Sequence, residues 1–341
     1  MVARVRLKAV SDEAKAVEGT NWTMFQGDCV STTEQLPDSS IDYTIFSPPF
    51  ESLYTFSDDP RDMSNCRNSA TFWEHFRFLI KELQRVTKPG RLVTVHCMQL
   101  PTSKVHDGYI GLRDFRGEII RNFCELGFIY HSEVCIRKDP VMAMQRTKAL
   151  GLLHKQIVKD SAMSRQGVAD YMVNMLRVGH LVTVRRPGDN PEPIAGELGT
   201  YHGDDKTDEE FKAASGKNRV AGSTRSAGAH QSIEIWQKYA EPVWMDISMG
   251  DVLSKTQARD LADERHIAPL QLTAIKRCVQ LWSNPDDVVF SPFAGIGSEL
   301  YVALQLGRKA LGVELKPSYF EQAVKNLRSL GKSGRGGTLL S

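Results

Sequence analysis

Residues 286–319 read DDVVFSPFAGIGSELYVALQLGRKALGVELKPSY. Val288–Phe290 is a short apolar run of strand length, and it enters the turn Phe293-Ala294-Gly295-Ile296-Gly297. Helical spacing follows over Glu299–Leu306, and Ala310–Glu314 is a second apolar strand. Glycines in such a turn let the backbone approach a ligand closely, and the helix N-terminus adds N–H donors. Glu314 lies 19 residues after Gly295 and ends the second strand. A carboxylate there can accept both hydroxyl hydrogens of a ribose. Each feature alone is a tight turn or a surface acid. In the order strand, glycine turn, helix, strand, acid they meet the context that a nucleoside-binding crossover requires. The third glycine of a dinucleotide fingerprint is missing from GIGSEL, which favours a smaller nucleoside cofactor over NAD.

The same alternation extends outward. Pro317 suits the first turn of a helix over Ser318–Leu327, with Phe320, Ala323, Val324 and Leu327 on one face. Upstream, Ile267–Trp282 reads as a helix. In the N-terminal part, Trp22–Gln26 and Ile41–Phe46 read as strands. The spacing of Phe72, Phe76, Leu79, Ile80 and Leu83 predicts a helix from Thr71 to about Val86, with Thr71 and Glu74 as a capping box and Lys88-Pro89-Gly90 as its stop. Leu92–Cys97 is a buried strand, Arg116–Leu126 a helix closed by Gly127, and His131–Ile136 a further strand. Strands alternating with helices predict an α/β fold on a parallel sheet.

Between the two parts the composition changes. Residues 137–186 carry ten Lys or Arg against three Asp or Glu, and from Pro187 to about Gln231 the chain is rich in Gly, Asp, Asn, Lys and Ser, as a long loop would be. The whole chain has 341 residues, 41% hydrophobic and 25% charged, which suits a globular protein and excludes wholesale disorder. It holds no apolar run long enough for a membrane span, and the N-terminus has no apolar core of a secretory signal. Six cysteines, the closest pair 11 residues apart, leave no CxxC metal or redox pair and suit a reducing cytoplasm. His154 and His266 stand singly, so orientation or packing roles are expected of them rather than metal binding. With a net charge of only +2, attraction to nucleic acid must come from a local patch. Trp236–Trp244, with its two end tryptophans, reads as core or cleft wall.

Ser47-Pro48-Pro49-Phe50 directly follows the strand Ile41–Phe46. Two prolines fix the backbone and remove two donors. The loop therefore presents acceptors, the Ser47 hydroxyl and the Pro48 carbonyl, beside the aromatic face of Phe50. That suits a planar ligand bearing an amino group. In isolation such a loop is more often a rigid strand exit than a binding site.

Together and in this order, the two motifs resemble the DNA methyltransferases that act on exocyclic amines of cytosine or adenine. That family pairs a loop of Asp, Asn or Ser, two prolines and an aromatic with an FxGxG turn that binds S-adenosylmethionine. Here SPPF precedes FAGIG by roughly 240 residues with the basic region between, which resembles the permuted β class, phage- and prophage-borne members above all. The resemblance implies a Rossmann-like methyltransferase fold in permuted order. Residues 1–136 would form the catalytic half, 137–231 a basic target-recognition region with a flexible loop, 232–330 the cofactor-binding half, and 331–341 a flexible tail. It implies cofactor contacts from Ser291, Phe293, Ala294, Gly295, Gly297 and Glu314. Gly27-Asp28-Cys29 resembles the family's acid-bearing turn near the adenine of the cofactor. Glu264–Leu272, ERHIAPLQL, resembles the segment that closes over the methionine end, which adds His266 and Gln271. Many members have Asp-Pro-Phe where this chain has Ser291-Pro292-Phe293, so the carboxylate that would meet the cofactor's ammonium is missing.

The implied partner is double-stranded DNA. In the basic segment Arg146, Lys148, Lys155, Lys159 and Arg165 are either phosphate contacts or a solvated helix face. No membrane and no metal are implied, and a homodimer is left open. The base must leave the stack to be reached, with Phe50 stacking on it. Ser47 favours cytosine N4 and leaves adenine N6 open. Carbon-5 methylation would need a thiol after a proline, and no cysteine here follows one. Two other classes are methylation of a protein glutamine, disfavoured by the basic insertion and the permuted order, and a silent DNA-binding protein, supported only by Ser291. The implied setting is the cytoplasm of a bacterial or phage-infected cell.

Overall fold

The computed structural model describes residues 15–51, 59–66, 68–102, 107–109, 111–139, 169–178, 194, 238–253 and 269–333, with residues 331–333 described by backbone alone. Nine strands form one sheet: β1 (Lys15–Gly19), β2 (Trp22–Gln26), β3 (Ile41–Phe46), β4 (Thr87–Met98), β7 (Phe128–Ile136), β8 (Asp170–Arg177), β9 (Val243–Trp244), β10 (Val288–Ser291) and β11 (Lys309–Glu314). A separate two-stranded ribbon pairs β5 (Leu100–Pro101) with β6 (Leu112–Arg113). The order across the main sheet is β1-β2-β11-β10-β3-β4-β8-β7-β9. Two strands from the C-terminal part, β10 and β11, thus sit between β2 and β3 from the N-terminal part, and both halves of the chain build one sheet. The run from β2 to β4 is parallel throughout.

The all-parallel expectation needs correction at two places. β1 pairs antiparallel with β2, and β8 lies antiparallel between β4 and β7. β8 falls inside the segment expected from sequence to be a basic recognition region. Its residues Met172, Val173 and Met175 are fully buried, because the sheet is covered on both faces.

Among the described residues six helices supply that cover. On one face α1 (Cys29–Glu34), α2 (Ser69–Val86) and α3 (Phe115–Glu125) pack Phe72, Phe76, Leu79, Phe115 and Phe123 against Val93, Val95 and Val173. On the other, α4 (Leu272–Trp282), α5 (Ser298–Gln305) and α6 (Pro317–Ser333) pack Ile275, Val279, Leu300 and Phe320 against Tyr43, Ile45 and Val289. This is a doubly wound, Rossmann-like α/β fold. Trp244 is core, as expected, with the Arg277 guanidinium 5.1 Å over its ring; Trp236 and the 187–193 and 195–231 segments lie outside the described residues. So do Ile267 and Ala268, and the helix predicted from Ile267 is described only from Leu272.

Local chemistry sets the helix ends. α2 begins two residues before Thr71, because Asn68 is the cap: its side chain accepts the Thr71 N–H at 2.9 Å, and the Thr71–Glu74 capping box does not form the start. Asp114 caps α3 through the Gly117 N–H at 2.9 Å. After α2 the Lys88-Pro89-Gly90 segment does not form a separate loop; it is already part of β4.

At the N-terminal ends of the parallel strands a buried ion cluster ties three of them. Arg91 of β4 is wholly buried; its Nη1 lies 3.0 Å from Asp287, just before β10, and its Nη2 lies 3.7 Å from Asp42 of β3. Asp42 also meets Lys88 at 2.7 Å and accepts the Val288 N–H at 2.9 Å.

Candidate active site

The C-terminal ends of β2, β3, β10 and β11 open into one cleft, on whose wall Asp28, Ser47, Phe50, Phe293, Gly295 and Glu314 all lie. It sits where the strand order reverses at β10 and β3, the place where open α/β sheets bind ligands.

On the β10 side the turn needs its glycines. Gly295 has φ +53° and Gly297 φ +86°, in the left-handed region, and a Cβ on Gly297 would also press on Ala323 at 3.2 Å. The turn is bonded to Glu314. The Gly295 N–H donates to its Oε2 at 2.8 Å and the Lys316 N–H to its Oε1 at 2.9 Å. Both carboxylate oxygens are aligned and retain lone pairs for ribose hydroxyls. Burial pushes the carboxyl up to about 7, against the pull of those two backbone donors. The arrangement fits S-adenosylmethionine: a glycine turn for close approach and an aligned acid at the end of β11.

Glu314→Gln is expected to weaken cofactor binding by about 1.5–3 kcal/mol at pH 8, the scale for hydrogen bonds to a charged group. The sign with pH follows from the raised carboxyl. Ribose hydroxyls favour the ionised form, so binding expels a proton, and wild-type affinity falls as pH drops through about 7. The variant's deficit should therefore narrow below about pH 7; calorimetry showing a deficit that is absent, or constant from pH 6 to 8, removes Glu314 from this role.

Other expected cofactor residues fare differently. Asp28 lines the cleft, and its Oδ1 caps α1 by accepting the Val30 and Ser31 N–H groups at 3.1 and 2.9 Å. Phe293 packs on Phe46 and Phe76, with ring centroids 5.7 and 6.5 Å away. Ala294 lies in the cleft wall and Ser291 is fully buried, its Oγ without a hydrogen-bond partner among the described residues. Gln271 is the N-cap residue of α4 without a side-chain cap bond, and its Oε1 is buried and has no hydrogen-bond partner among the described residues. Expected residues His266, Arg146, Lys148, Lys155, Lys159 and Arg165, and His154, lie outside the described residues.

On the β3 side, Phe50 stands edge-on to Phe115, centroids 5.9 Å apart, and 6.0 Å from the His96 ring. The loop then turns at Glu51 with φ +49°, unusual for a residue with a side chain. Arg113 holds that side chain at 2.7 Å and the Ser69 hydroxyl donates to it at 2.8 Å. Ser47 Oγ lies 3.0 Å from His96 Nδ1. His96 Nε2 in turn lies 3.2 Å from Asp170 Oδ2, a bent contact, and Lys138 Nζ reaches the same oxygen at 2.5 Å. Burial alone would raise the Asp170 carboxyl, but Lys138 and His96 outweigh it and hold it below its ordinary range. In the tautomer that places the proton on Nε2, toward Asp170, the lone pair of Nδ1 faces Ser47; the hydroxyl then donates to His96 and keeps its own lone pairs for a ligand.

His96, Asp170, Lys138 and Glu299 are site residues that the motifs did not indicate. The available signal was position: His96 interrupts an apolar strand near its C-terminal end, one strand from SPPF. Among the described residues no group of three His, Cys, Asp or Glu is placed to hold a metal ion, and no helix is long and apolar enough to cross a membrane.

Comparisons with known proteins bear on this geometry. The family model described as DNA methylase, of the N6/N4 methyltransferases, matches residues 41–325. The orphan methyltransferase M.BamHII of Bacillus amyloliquefaciens is 22% identical over 298 residues, 87% of this chain and 92% of that protein. The DNA adenine methyltransferase YhdJ of Escherichia coli K12 is 35% identical over 80 residues, 23% of this chain and 27% of that protein. Among solved structures, a DNA modification methylase of Thermus thermophilus, in complex with S-adenosyl-L-methionine, superposes with a TM-score of 0.55 at 19% identity, covering 89% of this chain and 93% of that one. The PvuII cytosine-N4-specific DNA methyltransferase gives 0.51 at 13%, covering 94% and 89%. These likenesses show a shared fold.

Proposed function

Because the chain belongs to the N6/N4 family of DNA methylases, which take methyl from S-adenosylmethionine, we propose that it methylates the exocyclic amine of a base turned out of duplex DNA, cytosine N4 in preference to adenine N6. The observation that carries this reading is the Ser47 hydroxyl, held by His96 at 3.0 Å in the cleft that also contains the glycine turn.

An exocyclic amine is a weak nucleophile because its lone pair is conjugated with the ring. The cofactor, when bound, supplies a methyl group on a good leaving group, so no covalent nucleophile is needed. The Ser47 Oγ and the Pro48 carbonyl accept the two amine hydrogens and free the nitrogen lone pair to point at the methyl. Positioning supplies much of the acceleration. As the nitrogen gains its fourth bond, one proton passes to Ser47 Oγ while the Ser47 proton passes to His96 Nδ1, and the imidazolium so formed faces Asp170. Phe50 covers one face of the ring. Phe50→Ala is expected to lose about 1–3 kcal/mol of transition-state stabilisation and Phe50→Trp to retain activity, measured as kcat/KM on duplex DNA.

The basic segment around Arg146, Lys148, Lys155, Lys159 and Arg165 is assigned to phosphate contact. Each change to Ala should lower the slope of log affinity against log salt by about one. A wild-type slope near zero, from binding titrations across salt concentrations, would exclude duplex DNA as the substrate.

The reading as a whole is tested with tritiated S-adenosylmethionine and unmethylated DNA, followed by nucleoside analysis. N4-methylcytosine is expected. N6-methyladenine would move the specificity to the second reading, which the local likeness to YhdJ favours. No label in DNA would overturn the proposal.

A further inference from the structure

Glu299 is the second residue of α5, directly after the glycine turn; it lines the cleft yet is only 4% exposed. Among the described residues it forms no ion pair. The charge acting on its carboxyl is Glu314, of the same sign, and its own backbone N–H only partly offsets the cost of burial. Burial pushes this carboxyl up to about 8. A buried carboxylate without a cation is costly, and among the described residues the fold supplies none to Glu299. Ser291 offers no charge at the end of β10, and it lies beneath the cleft wall, not on it.

We propose that Glu299 is the anionic partner of the α-ammonium of S-adenosylmethionine, taking from the helix start the role that Ser291 at the strand end does not fill. The chemistry selects the ammonium among the cofactor's groups. The adenine amine is neutral and does not balance a buried charge. The sulfonium is charged but has no hydrogen to donate. The ammonium brings both a full charge and three donors. The placement agrees, since Glu314 aligns to the ribose from the end of β11 while Glu299 approaches from the β10–α5 side of the same cleft. The proposal rests on the cofactor site and is independent of which base is methylated.

The test is calorimetric, without DNA, on wild type and Glu299→Gln, with three ligands. S-adenosylmethionine has both cations, S-adenosylhomocysteine keeps the ammonium and lacks the sulfonium, and 5′-methylthioadenosine lacks the amino-acid end. Glu299→Gln should weaken the first two by about tenfold or more, as loss of a charged hydrogen bond implies, and leave 5′-methylthioadenosine unchanged. Unchanged binding of S-adenosylhomocysteine, or an equal loss for all three ligands, overturns the proposal. A second measurement needs no variant. In buffers of different ionisation heat at pH 7, wild type should release more protons on binding S-adenosylhomocysteine than on binding 5′-methylthioadenosine, because the ammonium favours ionised Glu299, whereas Glu314 meets the ribose of both. Equal release overturns it as well.

Discussion

Single-turnover methylation by His96→Gln is expected to run about a hundredfold to ten-thousandfold slower than wild type, the range for loss of a positioned proton acceptor. Glutamine can still accept the Ser47 hydroxyl hydrogen and fills similar space, but it does not become a cation. Cofactor and DNA affinity should change little, because His96 is 8% exposed and stands behind Ser47 and Phe50. Ser47→Ala removes the other end of the same path and should cost a similar factor. The double variant should then be no slower than the worse single one, since groups acting as one unit are not additive. Asp170→Asn separates orientation from charge: it keeps the shape near Nε2 and removes the anion that the imidazolium would face. It should slow transfer less than His96→Gln if orientation dominates. If His96→Gln transfers methyl at the wild-type rate, the 3.0 Å contact is only packing and the proton leaves by another route.

Which parts of this machinery are legible in sequence follows from how far each contact reaches along the chain. β2 and β3 stand at Trp22–Gln26 and Ile41–Phe46 as expected, because each is a short apolar segment bounded by polar or turn residues. The glycine turn and Glu314 are legible because the whole crossover lies within one continuous stretch. β8 is not, since DYMVNMLR is covered on both faces and so lacks the alternation of a half-buried strand, and the positive charge around it suggests surface. His96 and Asp170 are far apart in the chain and meet only because β4 pairs with β8, with Met98 opposite Asp170. No local spacing encodes that pairing. Glu299 reads as an ordinary first-turn acid, and only its burial against the cleft distinguishes it.

The largest stability effect is expected at the other end of the same strands. Arg91→Met should lower the free energy of unfolding by about 3–5 kcal/mol, the cost of removing one partner from a buried ion cluster. Methionine replaces the apolar volume of the side chain but leaves Asp287 without its cation, while Asp42 keeps Lys88 at 2.7 Å and the Val288 N–H. The loss should depend on pH in a defined direction. Burial already raises the Asp287 carboxyl, with Asp42 adding to it and Arg91 opposing. Without Arg91 the carboxyl rises further, so folded protein binds more protons than unfolded, and stability is recovered as pH falls. Denaturant unfolding at neutral pH and again near pH 5 should show a deficit that shrinks at the lower value, and adding Asp287→Asn should restore part of it at neutral pH. A deficit under about 1 kcal/mol, or one that does not change with pH, would mean that the cluster contributes little. Arg91 and Asp287 lie 196 residues apart, so their pairing joins the half that carries Ser47 and His96 to the half that carries the glycine turn. β3, β4 and β10 run from this cluster to the cleft, and a loss of register here would displace Ser47 from Gly295 before it unfolds either half. Arg91→Met should therefore also raise the KM for cofactor at temperatures below its melting point.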